Sequence, residues 1–373
     1  MNILILSCNT GQGHNSAASA VKGCFAEHGV NCIIKDALAY ASPSNSKIIS
    51  KGHVFIYRNL PKLFGISYKF EENHPPKGDD SSLMFDIVTK GCKELLNDLI
   101  SSDYDAVICT HVFSAMMMTK LRHTEGYKIP TYLIMTDYTC YPGCDETDLD
   151  GYFIPHEDLI EEFCAAGLEK SKLFPTGIPV QSQFYRKNSK EYAKGMLRLP
   201  ENKKTVLLMC GSMGCGPIKQ LVEILPESMP DDSHLVAICG NNRRLYKSLI
   251  KLQNSKVSIV GYTSRMPIYM DAADIILTKP GGLSSTEAAV KHLPMLFIDA
   301  VPGCETRNLE FFISHGFAAT AQGTKPLINL LNEYLDDEPK IKSVESRLKE
   351  NFSICAAQEI YRQVCKNSDA VTV

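Results

Sequence analysis

The sequence predicts an α/β protein made of two doubly wound, parallel-sheet domains facing each other across a cleft. Three observations carry that expectation. Short runs rich in Val, Ile and Leu recur between turn residues; stretches of helical period separate them; and the series starts twice, each time as a strand, a glycine-containing turn and a helix. Apolar runs without strict alternation suit strands buried on both faces of a parallel sheet. Their alternation with helices is what crossover connections require.

Strands are expected at 2–7, 31–34, 105–109, 131–135 and 151–154 in the first series. In the second they fall at 205–210, 234–239, 256–260, 273–278, 295–298 and 317–320. Helical stretches include 14–28, 84–100, 157–167, 217–229 and 284–292, and a closing helix over about 352–367. Pro175-Thr176-Gly177-Ile178-Pro179 reads as a hinge. The expected domains are therefore 1–178 and 179–350, with a closing helix and tail at 351–373. Ligands of such sheets gather at the carboxyl ends of the strands.

Composition narrows the class. The chain has 373 residues, 44% of them hydrophobic and 22% charged, with net charge −3. A near-neutral balance speaks against a general nucleic-acid binder, which needs a basic surplus. Met1-Asn2 supplies no charged leader region and Ser7 and Asn9 cut the first apolar run, so no secretory signal is expected. No window has the apolar length of a membrane-spanning helix. The 14 cysteines are scattered, several within apolar runs (Cys109, Cys210, Cys239), as reduced thiols of a cytosolic protein are. Cys140 with Cys144, and Cys210 with Cys215, lack a second pair at zinc spacing, so no metal site is expected.

One stretch breaks the rhythm. Residues 40–70 carry Lys47, Lys51, Arg58, Lys62 and Lys69 without an acidic residue, interleaved with Tyr40, Phe55, Tyr57, Phe64, Tyr68 and Phe70. Positive charge with aromatics suits an anionic lipid surface. An insertion at about 40–80 whose aromatics pack on the first domain accounts for the pattern equally well.

The most distinctive text is "GYTSRMPIYMDAADIILTKPGGLSSTEAAVKHLPMLFIDAVPGCETRN", residues 261–308. It places a strand, then Gly281-Gly282, then Ser284-Ser285-Thr286 at a helix start, with Glu287 in the first turn. Backbone donors at a helix N-terminus, freed by glycines, form an anion site, and a carboxylate nearby can accept ribose hydroxyls. The glycines also read as a plain strand-to-helix turn, and Glu287 as a charge favoured by the helix dipole.

Taken whole, this stretch resembles the donor-binding signature of glycosyltransferase family 28, with its "KPGG…EA" run, "LPM" and "PGxExxN". The likeness is greatest to the branch holding monogalactosyldiacylglycerol synthases and processive diacylglycerol glucosyltransferases. "GQGHNSAA" near the start and "TGIPV" at 176–180 match that branch in the expected order, over roughly 1–320. The resemblance implies a GT-B fold of two Rossmann-like domains, the first binding the acceptor and the second a nucleotide sugar. Carried over by position, Gly281, Gly282 and Glu287 would contact the nucleotide, and Glu305 and Asn308 the sugar hydroxyls. Gly211, Ser212, Met213 and Gly214 would approach the diphosphate, unless they form only a tight turn. Lys279, beside a proline turn, is expected to be exposed and stands outside the catalytic set.

On the acceptor side, Gly11 and Gly13 flank His14 where a helix follows a buried strand. Positive potential at a helix start keeps imidazole neutral and able to take a proton. The resemblance implies inverting transfer with His14 as base and no covalent nucleophile. Asp137, in "MTDYTCYPGCDETDLDGYFIPHEDL", follows a strand and either orients His14 or an acceptor hydroxyl, or caps the next turn. Relatives usually carry a histidine and a tryptophan just after this aspartate; this chain has Tyr141 and Cys144, and no tryptophan at all. Cys304 stands where the family has glutamine, and it cannot supply an amide's paired donor and acceptor.

The expected protein is thus a cytoplasmic hexosyltransferase, peripheral on the inner face of the cell membrane. It would move glucose or galactose from a UDP-sugar to a lipid acceptor, with diacylglycerol foremost. No tightly bound cofactor is implied, and the need for a divalent metal stays open. Alternatives are a polyprenyl-linked or soluble acceptor, a UDP-sugar 2-epimerase, and a non-catalytic UDP-sugar sensor.

Overall fold

The computed structural model describes residues 1–9, 11–41, 82–212, 214 and 216–371. They form two compact units, one of Met1–Ser182 with Val301–Cys304 and Ile354–Val373, the other of Gln183–Ala300 with Glu305–Ser353. Met213, and Lys47, Lys51, Arg58, Lys62 and Lys69 of the basic stretch, lie outside the described residues. Among the described residues no helix is long and apolar enough to cross a membrane.

The first unit holds a parallel sheet of β1 (Asn2–Ser7), β2 (Asn31–Asp36), β3 (Ala106–Cys109), β4 (Thr131–Ile134), β5 (Gly151–Ile154) and β6 (Leu173–Pro175). Their order is β2-β1-β3-β4-β5-β6. Every residue of β3, β4 and β5 is buried, as strands covered on both faces must be. Ile3 and Ile5 of β1 and Ile108 of β3 pack under Ala18, Val21 and Phe25 of the helix Gln12–Glu27. The chain passes from β1 to β2 on one side and then to β3 on the other. The loops after β1 and β3 therefore leave neighbouring strands at a topological switch point.

Two features were outside the expectation from sequence. β6 occupies the front of the segment read only as a hinge. It is a three-residue edge strand ending at Pro175, where a missing N–H costs no ladder bond. Phe174 of β6 lies over Gly151, where a Cβ would sit 2.6 Å from its ring. The final helix, Ala356–Val371, also packs within this first unit. Ile360 and Val364 are fully buried in its core, and Tyr361 stacks on His28 with centroids 4.1 Å apart.

The second unit repeats the plan with β7 (Lys204–Met209), β8 (Ser233–Ile238), β9 (Val257–Val260), β10 (Ile275–Thr278), β11 (Met295–Phe297) and β12 (Ala318–Thr320). The order β12-β11-β10-β7-β8-β9 is that of a complete doubly wound sheet. Its switch point lies between β7 and β10, whose following loops are the two glycine-containing turns. The C-terminal end of helix Gly282–Val290 is anchored by a buried ion pair, Lys291 Nζ to Asp271 Oδ1 at 2.7 Å.

Candidate active site

In each unit, polar residues gather at the switch point of its sheet. In the first, Gly11 is extended (φ −169°) and caps the helix Gln12–Glu27, with Gly13 and His14 in its first turn. The loop before it is tied down side chain to side chain. Ser7 Oγ donates to Asn15 Oδ1 (2.7 Å), Asn15 Nδ2 to Asn9 Oδ1 (2.9 Å), and Asn9 Nδ2 to Asp36 Oδ2 (2.8 Å).

His14 is half-buried, with Nδ1 2.7 Å from the Thr110 carbonyl and 3.1 Å from Thr136 Oγ1. A carbonyl can only accept, so Nδ1 carries the ring proton and Nε2 the lone pair. Thr110 follows β3 and donates its N–H to Leu6 of β1 at 3.0 Å. The strand pairing itself thus places the carbonyl. His111 meets the His14 ring edge-on at 4.5 Å. Its own Nδ1 accepts from Phe113 N–H (3.1 Å), capping the helix Val112–Glu125.

Thr136 and Asp137 follow β4. Tyr141 Oη accepts the Thr136 N–H (3.1 Å), lies 2.7 Å from Thr136 Oγ1 and donates to Asp137 Oδ2 (2.9 Å). Burial first, then the Asp137 charge, pushes the Tyr141 hydroxyl well above its ordinary value, so it stays protonated. Glu162 Oε1 holds the intervening loop, accepting from Thr139 Oγ1 (2.6 Å) and Cys140 N–H (2.9 Å). The sequence pointed to His14 and Asp137 and marked Tyr141 as a departure. It held no signal for Thr110 or Thr136, whose roles depend on strands far apart in the chain.

In the second unit, Gly211 (φ 62°) and Gly214 (φ 57°) need left-handed backbone that favours glycine. Their turn is interlocked with the one after β8. Asn241 N–H donates to Ser212 O (2.8 Å) and Asn242 Nδ2 to Gly214 O (3.2 Å), and a Cβ on Gly214 would collide with the Cys239 carbonyl.

Beside it, Gly281 caps the helix Gly282–Val290 with no side chain, and no acidic residue stands in the first turn. Glu287 therefore sits one turn deeper than its spacing from the serines suggested, because the helix starts at Gly282 rather than at Ser284. An uncompensated positive helix end follows. Burial raises the Glu287 carboxyl to about 8.

Lys279 corrects a second expectation. It is buried rather than exposed, with Nζ 3.5 Å from both Asp299 Oδ2 and Glu305 Oε2. The end of β10 carries it inward, and the two carboxylates compensate its charge. Asn308 is fully buried, and its Nδ2 donates to Pro280 O at 2.9 Å.

Comparison with known proteins sets these groups in context. Residues 14–180 match the sequence model of monogalactosyldiacylglycerol (MGDG) synthase, and residues 205–303 that of the glycosyltransferase family 28 C-terminal domain. The processive diacylglycerol beta-glucosyltransferase of Staphylococcus epidermidis is 28% identical over 94% of this chain and 88% of its own. The protein of the same name from Bacillus subtilis is 26% identical over 99% and 96%. Among solved structures, Acinetobacter baumannii MurG superimposes with TM-score 0.65 at 15% identity, covering 98% of this chain and 99% of that one. A putative UDP-N-acetylglucosamine 2-epimerase from Listeria monocytogenes reaches the same 0.65 at 12% identity, covering 99% and 97%. Anabaena Alr3699/HepE with UDP-glucose gives 0.57 at 13%, covering 99% and 100%.

Proposed function

The chain belongs to glycosyltransferase family 28, and we propose that it is an inverting hexosyltransferase moving glucose from UDP-glucose to diacylglycerol. UDP-galactose is the second donor to consider. Fold alone does not choose between transfer and epimerisation, since a solved structure of each kind matches equally well. The sequence likeness to diacylglycerol glucosyltransferases along nearly the whole chain favours transfer, glucose and a lipid acceptor.

The observation that carries the mechanism is the orientation of His14. With Nδ1–H held by the Thr110 carbonyl at 2.7 Å, Nε2 bears the lone pair of a general base. The lipid hydroxyl oxygen bonds to the anomeric carbon as the bond to the β-phosphate oxygen breaks. The electron pair leaves with UDP, the hydroxyl proton passes to His14 Nε2, and the anomeric configuration inverts. Asp137 supports the base through its neighbours.

The second unit holds the donor in this reading. The positive end of helix Gly282–Val290, opened by Gly281 and Gly282, takes the diphosphate, with Gly211, Ser212, Met213 and Gly214 alongside. Glu287 takes the ribose hydroxyls. Glu305, paired with Lys279, takes the sugar hydroxyls, and Asn308 braces the Pro280 turn. Lys47, Lys51, Arg58, Lys62 and Lys69 are proposed to draw the protein to the anionic inner face of the membrane, where the acceptor resides.

The test is UDP release and labelled glycolipid formation from UDP-glucose and UDP-galactose, with and without vesicles containing diacylglycerol and an anionic lipid. Release should depend on diacylglycerol, and His14→Ala should abolish it while UDP still binds. Tight UDP binding with no release under any condition would replace the transferase with a sensor. Release driven by a soluble or polyprenyl-linked acceptor would move the acceptor assignment.

A further inference from the structure

The most complete polar network in the first unit runs from Asp137 to His14, and its hydrogen bonds have only one consistent direction. Tyr141 has one proton and gives it to Asp137 Oδ2 at 2.9 Å. Its oxygen must then accept from Thr136 Oγ1 at 2.7 Å and from the Thr136 N–H at 3.1 Å. With its only proton committed to Tyr141, the Thr136 hydroxyl can offer His14 nothing but a lone pair, 3.1 Å from Nδ1. The Thr110 carbonyl makes the same demand from another side, at 2.7 Å. Two independent acceptors thus converge on one ring nitrogen, and one of them is polarised by a carboxylate two hydrogen bonds away.

We propose that Tyr141 and Thr136 are positioning residues that transmit the Asp137 charge to His14, fixing its tautomer and stabilising the imidazolium formed during transfer. This rests on the reading of His14 as the base. The relay gives Tyr141 a task at the position where relatives carry a histidine: it joins two groups that each need a hydrogen-bonding partner. Burial and the adjacent charge keep its phenol protonated, as the relay requires. Glu162 prevents the loop from drifting by clamping the two residues before Tyr141. Networks of this kind are cooperative, and cutting one link unsettles the rest.

Two changes cut it at different links. Tyr141→Phe removes the bridge and releases the Thr136 hydroxyl, which can then donate to Nδ1 and favour the ring form with its proton on Nε2. Thr136→Val removes the acceptor at His14. In both, the imidazolium loses its distant negative partner, so the base weakens.

The experiment measures kcat against pH for UDP-glucose transfer to diacylglycerol vesicles, alongside the UDP dissociation constant. Both variants should lose about tenfold in plateau kcat, part of the roughly 10²–10⁴-fold a positioned base supplies. The acidic limb should move to lower pH, with UDP affinity kept. Thr136→Ser, which retains the hydroxyl, should return the limb to its parental position. If Tyr141→Phe fails to fold, Thr136→Val and Thr136→Ser carry the same comparison. An unmoved limb and full plateau in the variants, with His14→Ala inactive, would overturn the relay and leave the base. An active His14→Ala would instead overturn the base reading itself.

Discussion

The side-chain amide of Asn308 donates to the carbonyl of Pro280 at 2.9 Å, and no part of Asn308 reaches solvent. A residue of the following helix thus holds the turn that delivers Gly281 to the start of helix Gly282–Val290. Asn308→Ala leaves that carbonyl unpaired and should destabilise the second unit by about 1–3 kcal/mol. UDP affinity should fall with it, because the turn that presents the helix end is no longer braced. Thermal unfolding and a UDP titration check the two effects together; parental UDP affinity in a destabilised variant would confine Asn308 to stability.

Lys279 should separate sugar from nucleotide. Lys279→Met leaves Glu305 and Asp299 without the cation that lies 3.5 Å from each. Breaking a largely buried pair from one side is strongly unfavourable, and the uncompensated carboxylates will shift or take up protons. Affinity for UDP-glucose should drop more than affinity for UDP, since Glu305 is assigned to the sugar. Equal losses in calorimetric titrations of both ligands would place Lys279 on the diphosphate instead.

Glu287 predicts a pH dependence of stability. Its folded value, raised by burial to about 8, lies above the ordinary carboxylate value of 4.5, so the folded state holds a proton that the unfolded chain gives up. The resulting stability is full below about 4.5 and is lost as pH rises towards 8. Glu287→Gln cannot ionise. Its melting temperature relative to the parent should therefore climb between pH 5 and pH 8, on the order of the window set by that shift. A constant difference across that range would show that Glu287 ionises normally.

Ile360 tests the contribution of the final helix. It is fully buried in the first unit's core, beside Val364 and the helix Gln12–Glu27. Ile360→Ala should cost about 2–5 kcal/mol in urea unfolding. Transfer should weaken only as the folded fraction falls, because neither His14 nor the donor residues touch the cavity formed. Loss of turnover at full folded fraction would give this helix a direct part in catalysis.

Much of the architecture was legible because its signals are local. The apolar runs of β1, β3 and β7 announce buried strands whatever their neighbours, and left-handed Gly211 and Gly214 belong where a tight turn leaves a strand. β6 escaped notice because three residues at a sheet edge, ending in proline, carry too little pattern to separate from a turn. Glu287 was misplaced by a turn because glycine can cap a helix by backbone alone, so the serines looked like the start.

By itself the sequence determined two α/β series, their glycine turns and His14 at a helix start, since each depends on residues close together in the chain. Only the tertiary structure decided what His14 can do. Its ring proton is set by a carbonyl 96 residues away and a hydroxyl 122 residues away. Those partners arrive because parallel crossovers lay β3 beside β1 and β4 beside β3, an adjacency that no local pattern encodes. Lys279 and Ile360 follow the same logic. Whether a lysine is buried against carboxylates, or a final helix packs on the first, depends on contacts that exist only once the sheets have formed.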